Sequence, residues 1–287
     1  MNDLLNALDA RAVRRQAERR AVTPPAAAYL FERCADVLAE RFDWLATQPS
    51  TVLDVSADAG YAARQVAQRC RKARQICAGG AALVTEPRRW WQRQRNTRLV
   101  GDLFDLPLAE NSIELALANL TLPWIDEPDR LFAELARVCA PDAPLLIAAL
   151  GPDSFRELRD AWTDSDNRPA TVPVFADMHD LGDALVRAGF VEPVLDVDRI
   201  AVRFASPAAL WRDLRATGAG NVLRARRRGL TTPRQLAAAG MALDATGGGF
   251  DVTVELVFAH AFATSRTATN KRRETSIPAA SIGRRRR

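Results

Sequence analysis

The chain is poor in the residues that most often advertise chemistry. It has two histidines, His179 and His260, and neither an HExxH nor a GxSxG motif, so zincin chemistry and the serine-hydrolase elbow have no support. Its four cysteines (Cys34, Cys70, Cys77 and Cys139) form no CxxC pair and no ladder of close spacings. A zinc cluster and a disulfide scaffold are excluded on that ground, and a reducing cytoplasm is expected. No run of about eighteen apolar residues occurs, which excludes a membrane-spanning helix. The first residues, MNDLLNALDARAVRRQAERR, lack the apolar stretch of a secretory signal, and Asp3, Asp9 and Glu18 argue against a mitochondrial presequence. No internal repeat is visible.

What is present is ordinary globular composition. Of 287 residues, 48% are hydrophobic, enough for a sizeable core. The net charge of +5 is unevenly placed. Arg266, Lys271, Arg272, Arg273 and the arginines at 284–287, against Glu274, leave the last 22 residues at +7 and the preceding 265 at −2. The basic character therefore belongs to a tail rich in Ser, Thr and Arg, expected to be a solvated, disordered end rather than a nucleic-acid site.

Apolar strands alternate with amphipathic helices from about residue 50 to 150. TVLDVSADAG reads as a strand closing on an acid and a small-residue turn, followed by the helix YAARQVAQRCRKAR. Next come QICAG or AALVTE as a strand, PRRWWQRQR as a helix, and TRLVG and SIELALANL as strands. EPDRLFAELARVC is a helix with Pro128 in its first turn, and APLLIAALG a buried strand. Continuous rather than alternating apolar strands predict a parallel sheet covered on both faces. Upstream, residues 10–22 and the stripe Tyr29, Cys34, Val37, Leu38 and Phe42 predict two helices separated by Pro24 and Pro25. Downstream, GPDSFRELRDAW and HDLGDALVRAGF read as helices, the latter closed by Gly189, and 194–204 as a strand. From PAALWRDLRATG to about Leu243 the chain reads as helical and Arg-rich, before three glycines and the strand VTVELVFAHAFA. The predicted organisation is an N-terminal helical segment (1–48), an α/β core (49–205), a helical cap (206–245), a late antiparallel strand (246–265) and the tail (266–287).

In an open α/β sheet, ligands bind at the carboxyl ends of the strands near a topological switch point. Here that place holds Asp54, Ser56, Asp58 and Gly60. An acid followed by a G-x-G-x-G turn resembles the S-adenosylmethionine (SAM) site of class I methyltransferases, with Gly60 as the one surviving glycine. The segment GDLFDLPLAENSIELALANLTLPW, then LGPDSFRELRDAW, MHDLGDALVRAGF and PVLDVDRI, and the N-terminal VRRQAERRAVTPPAAAYLFER, narrow the likeness. They resemble the malonyl-[acyl-carrier protein] O-methyltransferase family of biotin synthesis over essentially the whole chain. The resemblance implies a Rossmann-like fold with a mostly parallel, seven-stranded sheet. It also implies methyl transfer from SAM to the free carboxylate of a malonyl thioester, on acyl-carrier protein or coenzyme A, with no metal. It places Asp54, Ser56, Asp58 and Gly60 along the cofactor's amino-acid end, Asp102 and Leu103 at the adenine, and Asn119 and Leu120 beside the transferred methyl. No catalytic base is implied.

The departures are concentrated at that site. Ser56 and Asp58 replace two glycines, and a non-glycine forced to positive φ costs roughly 1–2 kcal/mol. Asp58 beside the cofactor's own carboxylate implies repulsion on the order of 4 kcal/mol, reversed if it meets the ammonium instead. The ribose-binding acid is Glu86 if AALVTEP is the second strand, and is lost at Gly79 if QICAG is. Pro24, Pro25, Pro123, Asp142 and Ala143 also stand where the family has other residues. Two readings stay open: an active methyltransferase with a remodelled loop, or a relative that kept the fold and binds a partner such as acyl-carrier protein, with an assembly-factor or hydroxylase-like relative as a variant. The arginines Arg212, Arg215, Arg224, Arg226, Arg227 and Arg228 suit, under either reading, a grip on an acidic carrier protein or on the malonyl carboxylate itself.

Overall fold

The computed structural model describes residues 7–45, 47–58, 60–80, 96–163, 172–226 and 229–264. Two helices lead in. The first, α1 (Ala10–Arg20), is capped by Asp9, whose side chain accepts from the N–H groups of Arg11 and Ala12. Pro25–Ala27 form a single 3₁₀ turn, and α2 (Tyr29–Trp44) then buries Cys34, Leu38 and Phe42 of the expected stripe.

The core follows as β1 (Thr51–Asp54), α3 (Tyr61–Arg69), β2 (Arg74–Gly79), β3 (Asn96–Val100), β4 (Leu115–Asn119), α4 (Pro128–Val138), β5 (Pro144–Leu150), α5 (Arg156–Thr163) and α6 (Met178–Ala188). It is completed by β6 (Phe190–Phe204), α7 (Pro207–Ala216), α8 (Pro233–Leu243) and β7 (Phe250–Ala263). The sheet order is β3-β2-β1-β4-β5-β7-β6. The first five strands pair in parallel, while β7 lies antiparallel between β5 and β6. This is the mostly parallel, seven-stranded, Rossmann-like sheet expected.

Every residue of β4 is buried, because helices cover both faces. On one face Phe132, Leu135 and Leu185 of α4 and α6 pack on Ala116, Leu145 and Ile147. On the other, Leu38, Ala62 and Val66 of α2 and α3 pack on Val52, Leu115 and Leu146. The chain leaves β1 toward β2 on one side and reaches β4 on the other, so the switch point lies at the C-terminal ends of β1 and β4.

Of the two registers left open for the second strand, QICAG is the one that pairs with β1, as Arg74–Gly79, while AALVTEP and PRRWWQRQR, with Glu86, lie outside the described residues. Two expectations change. Strand β6 begins four residues earlier than expected, carried past Pro193 by a register shift between Val191 and Val194 with Glu192 at φ 52°. The stretch after α7 is not helical as far as Leu243. Gly218 turns left-handed at φ 64°, and the chain resumes a helix only at Pro233, behind a Thr232–Gln235 capping box. Between them, Leu223 bridges to Leu8, and Arg226 pairs with Asp9 at 2.9 Å. That arginine is therefore committed to anchoring the N-terminus, while Arg212, Arg215 and Arg224 are exposed and Arg227 and Arg228 lie outside the described residues.

Candidate active site

Strand β1 delivers Asp54 to the switch point with its carboxylate buried, and Asp54 Oδ1 accepts from Ser56 N at 2.9 Å. The following loop is laced to the end of β4. Asn119 N donates to Ser56 Oγ (2.9 Å), Ala57 N to Asn119 O (3.0 Å), and Thr121 Oγ1 to Val55 O (2.9 Å). Asp58 is 1% exposed and accepts four N–H groups: Gly60 N (2.8 Å), Tyr61 N (3.1 Å), Ala62 N (2.8 Å) and Asn119 Nδ2 (2.7 Å). Its carboxylate thus closes the N-terminus of α3, where free amides and the helix dipole favour an anion. Gly60, at φ 85°, makes the turn into that helix.

The strain expected of Ser56 and Asp58 does not arise. Among the described residues the non-glycine positions with positive φ are Asn111, Leu120, Asp142, Phe155 and Glu192, and neither Ser56 nor Asp58 is one of them. The loop has changed shape so that polar side chains satisfy its amides. Asp58 has its oxygens engaged with four donors rather than bare beside a ligand.

Two buried carboxylates so close together cannot both ionise freely. Burial pushes the Asp54 carboxyl up to about 7, Asp58 adds to the rise, and hydrogen bonds from Ser56 oppose it. Burial also raises Asp58, against the N–H groups of Ala62, Asn119 and Gly60. With four donors on Asp58, a proton entering the pair settles on Asp54.

Asn119 is fully buried, and its Nδ2 also donates to Phe31 O at 3.0 Å, yet its Oδ1 has no partner. Leu120 follows in the left-handed region at φ 51°, its N–H held by Ala148 O at 2.8 Å. Asp102, after β3, is exposed and caps its own turn by accepting from Phe104 N at 2.9 Å, while Leu103 packs half-buried on the core. The segment after them is clamped by α4: Glu134 accepts from Leu106 N (2.7 Å), and Arg137 donates to the carbonyls of Leu106 and Leu108 (2.9 Å each). Gly79 ends β2, so that strand end carries no acid.

Leu120 also opens onto a cleft that the sequence did not reveal. Its walls are apolar, among them Phe31, Trp124, Leu150, Phe155 and Leu210, and its ionisable lining residues among those described are Tyr29 and Asp213. Tyr29 donates its hydroxyl to Asp213 Oδ2 at 3.2 Å, joining α2 to α7 across the cleft. Burial raises the pKa of both groups. In the sequence Tyr29 shows only as part of a core stripe, and nothing local singles out Asp213 among the cap arginines.

Residues 53–147 match the model of a methyltransferase domain. Among solved structures, a putative methyltransferase from Bacillus halodurans aligns with a TM-score of 0.54 at 13% identity, covering 79% of this chain and 99% of that one. The [4+2]-cyclase SpnF aligns with a TM-score of 0.53 at 21% identity, covering 82% and 81%. These likenesses concern the fold, and the second belongs to a protein named for a different reaction. The sheet order, the switch-point acid and the matched domain define a class I methyltransferase. More particularly, a malonyl-[acyl-carrier protein] O-methyltransferase of Halorhodospira halophila is 38% identical over 263 residues, 89% of this chain and 88% of that protein. Proteins of the same name from Laribacter hongkongensis (36% identical, 91% of each chain) and Xylella fastidiosa (34%, 96% of each) agree. The chain belongs to the malonyl-[acyl-carrier protein] O-methyltransferase family.

It is an O-methyltransferase, and its cofactor is S-adenosyl-L-methionine. The donor set fits that molecule. Asp54 and the unpartnered Asn119 Oδ1 make a buried pair of acceptors that suits an ammonium and a sulfonium, and ionised Asp54 is stabilised by such a cation.

Proposed function

We propose that this protein transfers a methyl group from SAM to the free carboxylate of a malonyl thioester carried by acyl-carrier protein, in the pimeloyl branch of biotin synthesis. Malonyl-coenzyme A is the alternative carrier of the same acceptor. The observation that carries this reading is the 38% identity, over 88% of its length, to a protein named for that reaction.

Bound SAM supplies an electrophilic methyl. Around it, Asp54 and Asn119 would hold the amino-acid end, Ser56 and Gly60 would line its path, and Asp102 and Leu103 would meet the adenine, while the end of β2 at Gly79 offers no acid to the ribose hydroxyls. Asp58 serves by fixing the Asn119 side chain. A carboxylate is already ionised at pH 7, so the chain need not remove a proton. Its task is to align the acceptor and exclude water, which the apolar cleft beside Leu120 is suited to do. The segment 206–245 acts as the cap, with Leu210, Asp213 and Leu214 of α7 lining that cleft. Among the described residues no helix is long and apolar enough to cross a membrane, and the free thiols of all four cysteines suit the cytoplasm.

The test is transfer of labelled methyl from SAM to malonyl-carrier protein, with acetyl-carrier protein as control, alongside growth of a biotin auxotroph lacking its own methyltransferase. Label on the malonyl form alone, with rescue, is expected. Neither label nor rescue would sink the reading.

A further inference from the structure

The acceptor cleft has a chemical gap. Its ligand, on the reading above, ends in a carboxylate, yet among the described residues that line it there is no Lys, Arg or His. Tyr29 and Asp213 are hydrogen-bonded to each other and offer no positive charge.

A cation lies directly behind the wall. Arg20, the last residue of α1, is 2% exposed, and its guanidinium stacks on Trp124 with Cζ 3.8 Å from the ring centroid. Trp124 itself lines the cleft. Arg20 Nε and Nη1 are buried without any hydrogen-bond partner, and no carboxylate pairs with it among the described residues. A buried guanidinium with unused donors is costly to keep, and ring stacking returns only part of that cost. Burial accordingly draws its pKa down to about 9.

The side chain is held in place rather than stranded. Gly218 lies so close to it that a Cβ there would stand 2.8 Å from Arg20 Cγ and 2.4 Å from Gln16 O. Thr23 Oγ1 donates to Ala216 O at 3.1 Å, tying the end of α1 to the same turn of the cap. Thr217 and Ala219, on either side of Gly218, line the cleft. The last turn of α1, Trp124 and the residues after α7 therefore form one wall, with a desolvated fork of N–H donors built into it.

We propose that Arg20 is the receptor for the acceptor's free carboxylate, pairing through Nε and Nη1 at the edge of Trp124. It is a specificity-determining residue: a malonyl thioester carries the charge that Arg20 lacks, and an acetyl thioester does not. Methylation removes that charge, so Arg20 holds the substrate more tightly than the product ester and favours release once the reaction is done. The inference rests on the malonyl reading of the cleft.

The experiment is calorimetric binding of malonyl-pantetheine, its methyl ester and acetyl-pantetheine to the full-length wild type, Arg20→Met and Arg20→Lys. Wild type should bind malonyl-pantetheine at least tenfold more tightly than the other two. Arg20→Met should bind all three alike, and Arg20→Lys should keep part of the preference. In turnover, Arg20→Met should raise KM for malonyl-carrier protein at least tenfold. Wild type that does not distinguish malonyl-pantetheine from its ester overturns the proposal without any variant, as does Arg20→Met that retains the preference. Failure of methyl transfer in wild type, with Arg20-dependent malonyl binding intact, would overturn the assigned reaction and leave this site standing.

Discussion

The side-chain amide of Asn119 donates to the carboxylate of Asp58 at 2.7 Å, joining the turn after β1 to the end of β4 within the buried switch point. One residue that replaces a glycine thereby orients one that the resemblance places beside the reacting methyl. Asp58→Gly should remove the α3 cap and free that amide. We expect a stability loss of about 1–3 kcal/mol, read by urea unfolding, and weaker SAM binding by calorimetry. Tighter SAM binding would mean that repulsion of the cofactor carboxylate outweighs positioning.

A second expectation concerns pH. The Asp54 carboxyl is raised from 3.8 to about 7 in the folded protein, so between those values the native state binds the proton that the unfolded chain has released. Stability from this group is fully present below about pH 4 and is lost as pH rises toward 7. Asp54→Asn should flatten that slope. SAM affinity should run the other way, rising through the same window as Asp54 ionises against the bound cation. A pH-independent affinity would remove Asp54 from cofactor contact.

Tyr29→Phe tests the link between α2 and α7. Loss of one half-buried hydrogen bond should cost about 1 kcal/mol. Amide exchange should quicken in α7 (Pro207–Ala216) while β4 and β5 stay protected. Unchanged exchange in α7 would show that packing of Leu210, not the phenol, holds the cap.

On the proposed function, the exposed arginines Arg212, Arg215 and Arg224 would bear on the carrier protein rather than on the acyl group. Charge reversal of all three should weaken binding of acyl-carrier protein and flatten its salt dependence, with affinity for malonyl-pantetheine unaltered. Carrier binding that ignores salt in wild type would assign docking to another face.

Most of the sheet was legible because apolar runs such as LALAN and PLLIAAL are what a strand covered on both sides must be. The switch-point acid was legible for the same topological reason. What escaped depended on partners distant in sequence. Asp58 read as an intruder among glycines, since its donor Asn119 stands 61 residues away. Arg226 read as part of a docking surface, since its partner Asp9 is 217 residues away. Arg20 left a local trace: with Ala12 and Ala17 it falls on the buried face of α1, a place where an arginine calls for a reason. The choice between QICAG and AALVTEP turned on which five apolar-rich residues β1 would accept, and the pairing of Asp54 with Cys77 decides it.

The insertion of β7 between β5 and β6 has a consequence for how the molecule is born. During synthesis, every described residue assigned to the cofactor is available once the chain has passed Leu120. The cap lies between β6 and β7, however, and β6 has no place in the sheet until the final strand arrives beside β5. A nascent or prematurely terminated chain would therefore complete the half that holds the methyl donor long before the half that admits an acceptor. Arrival of β7, rather than arrival of the cofactor, is the step on which that second half depends.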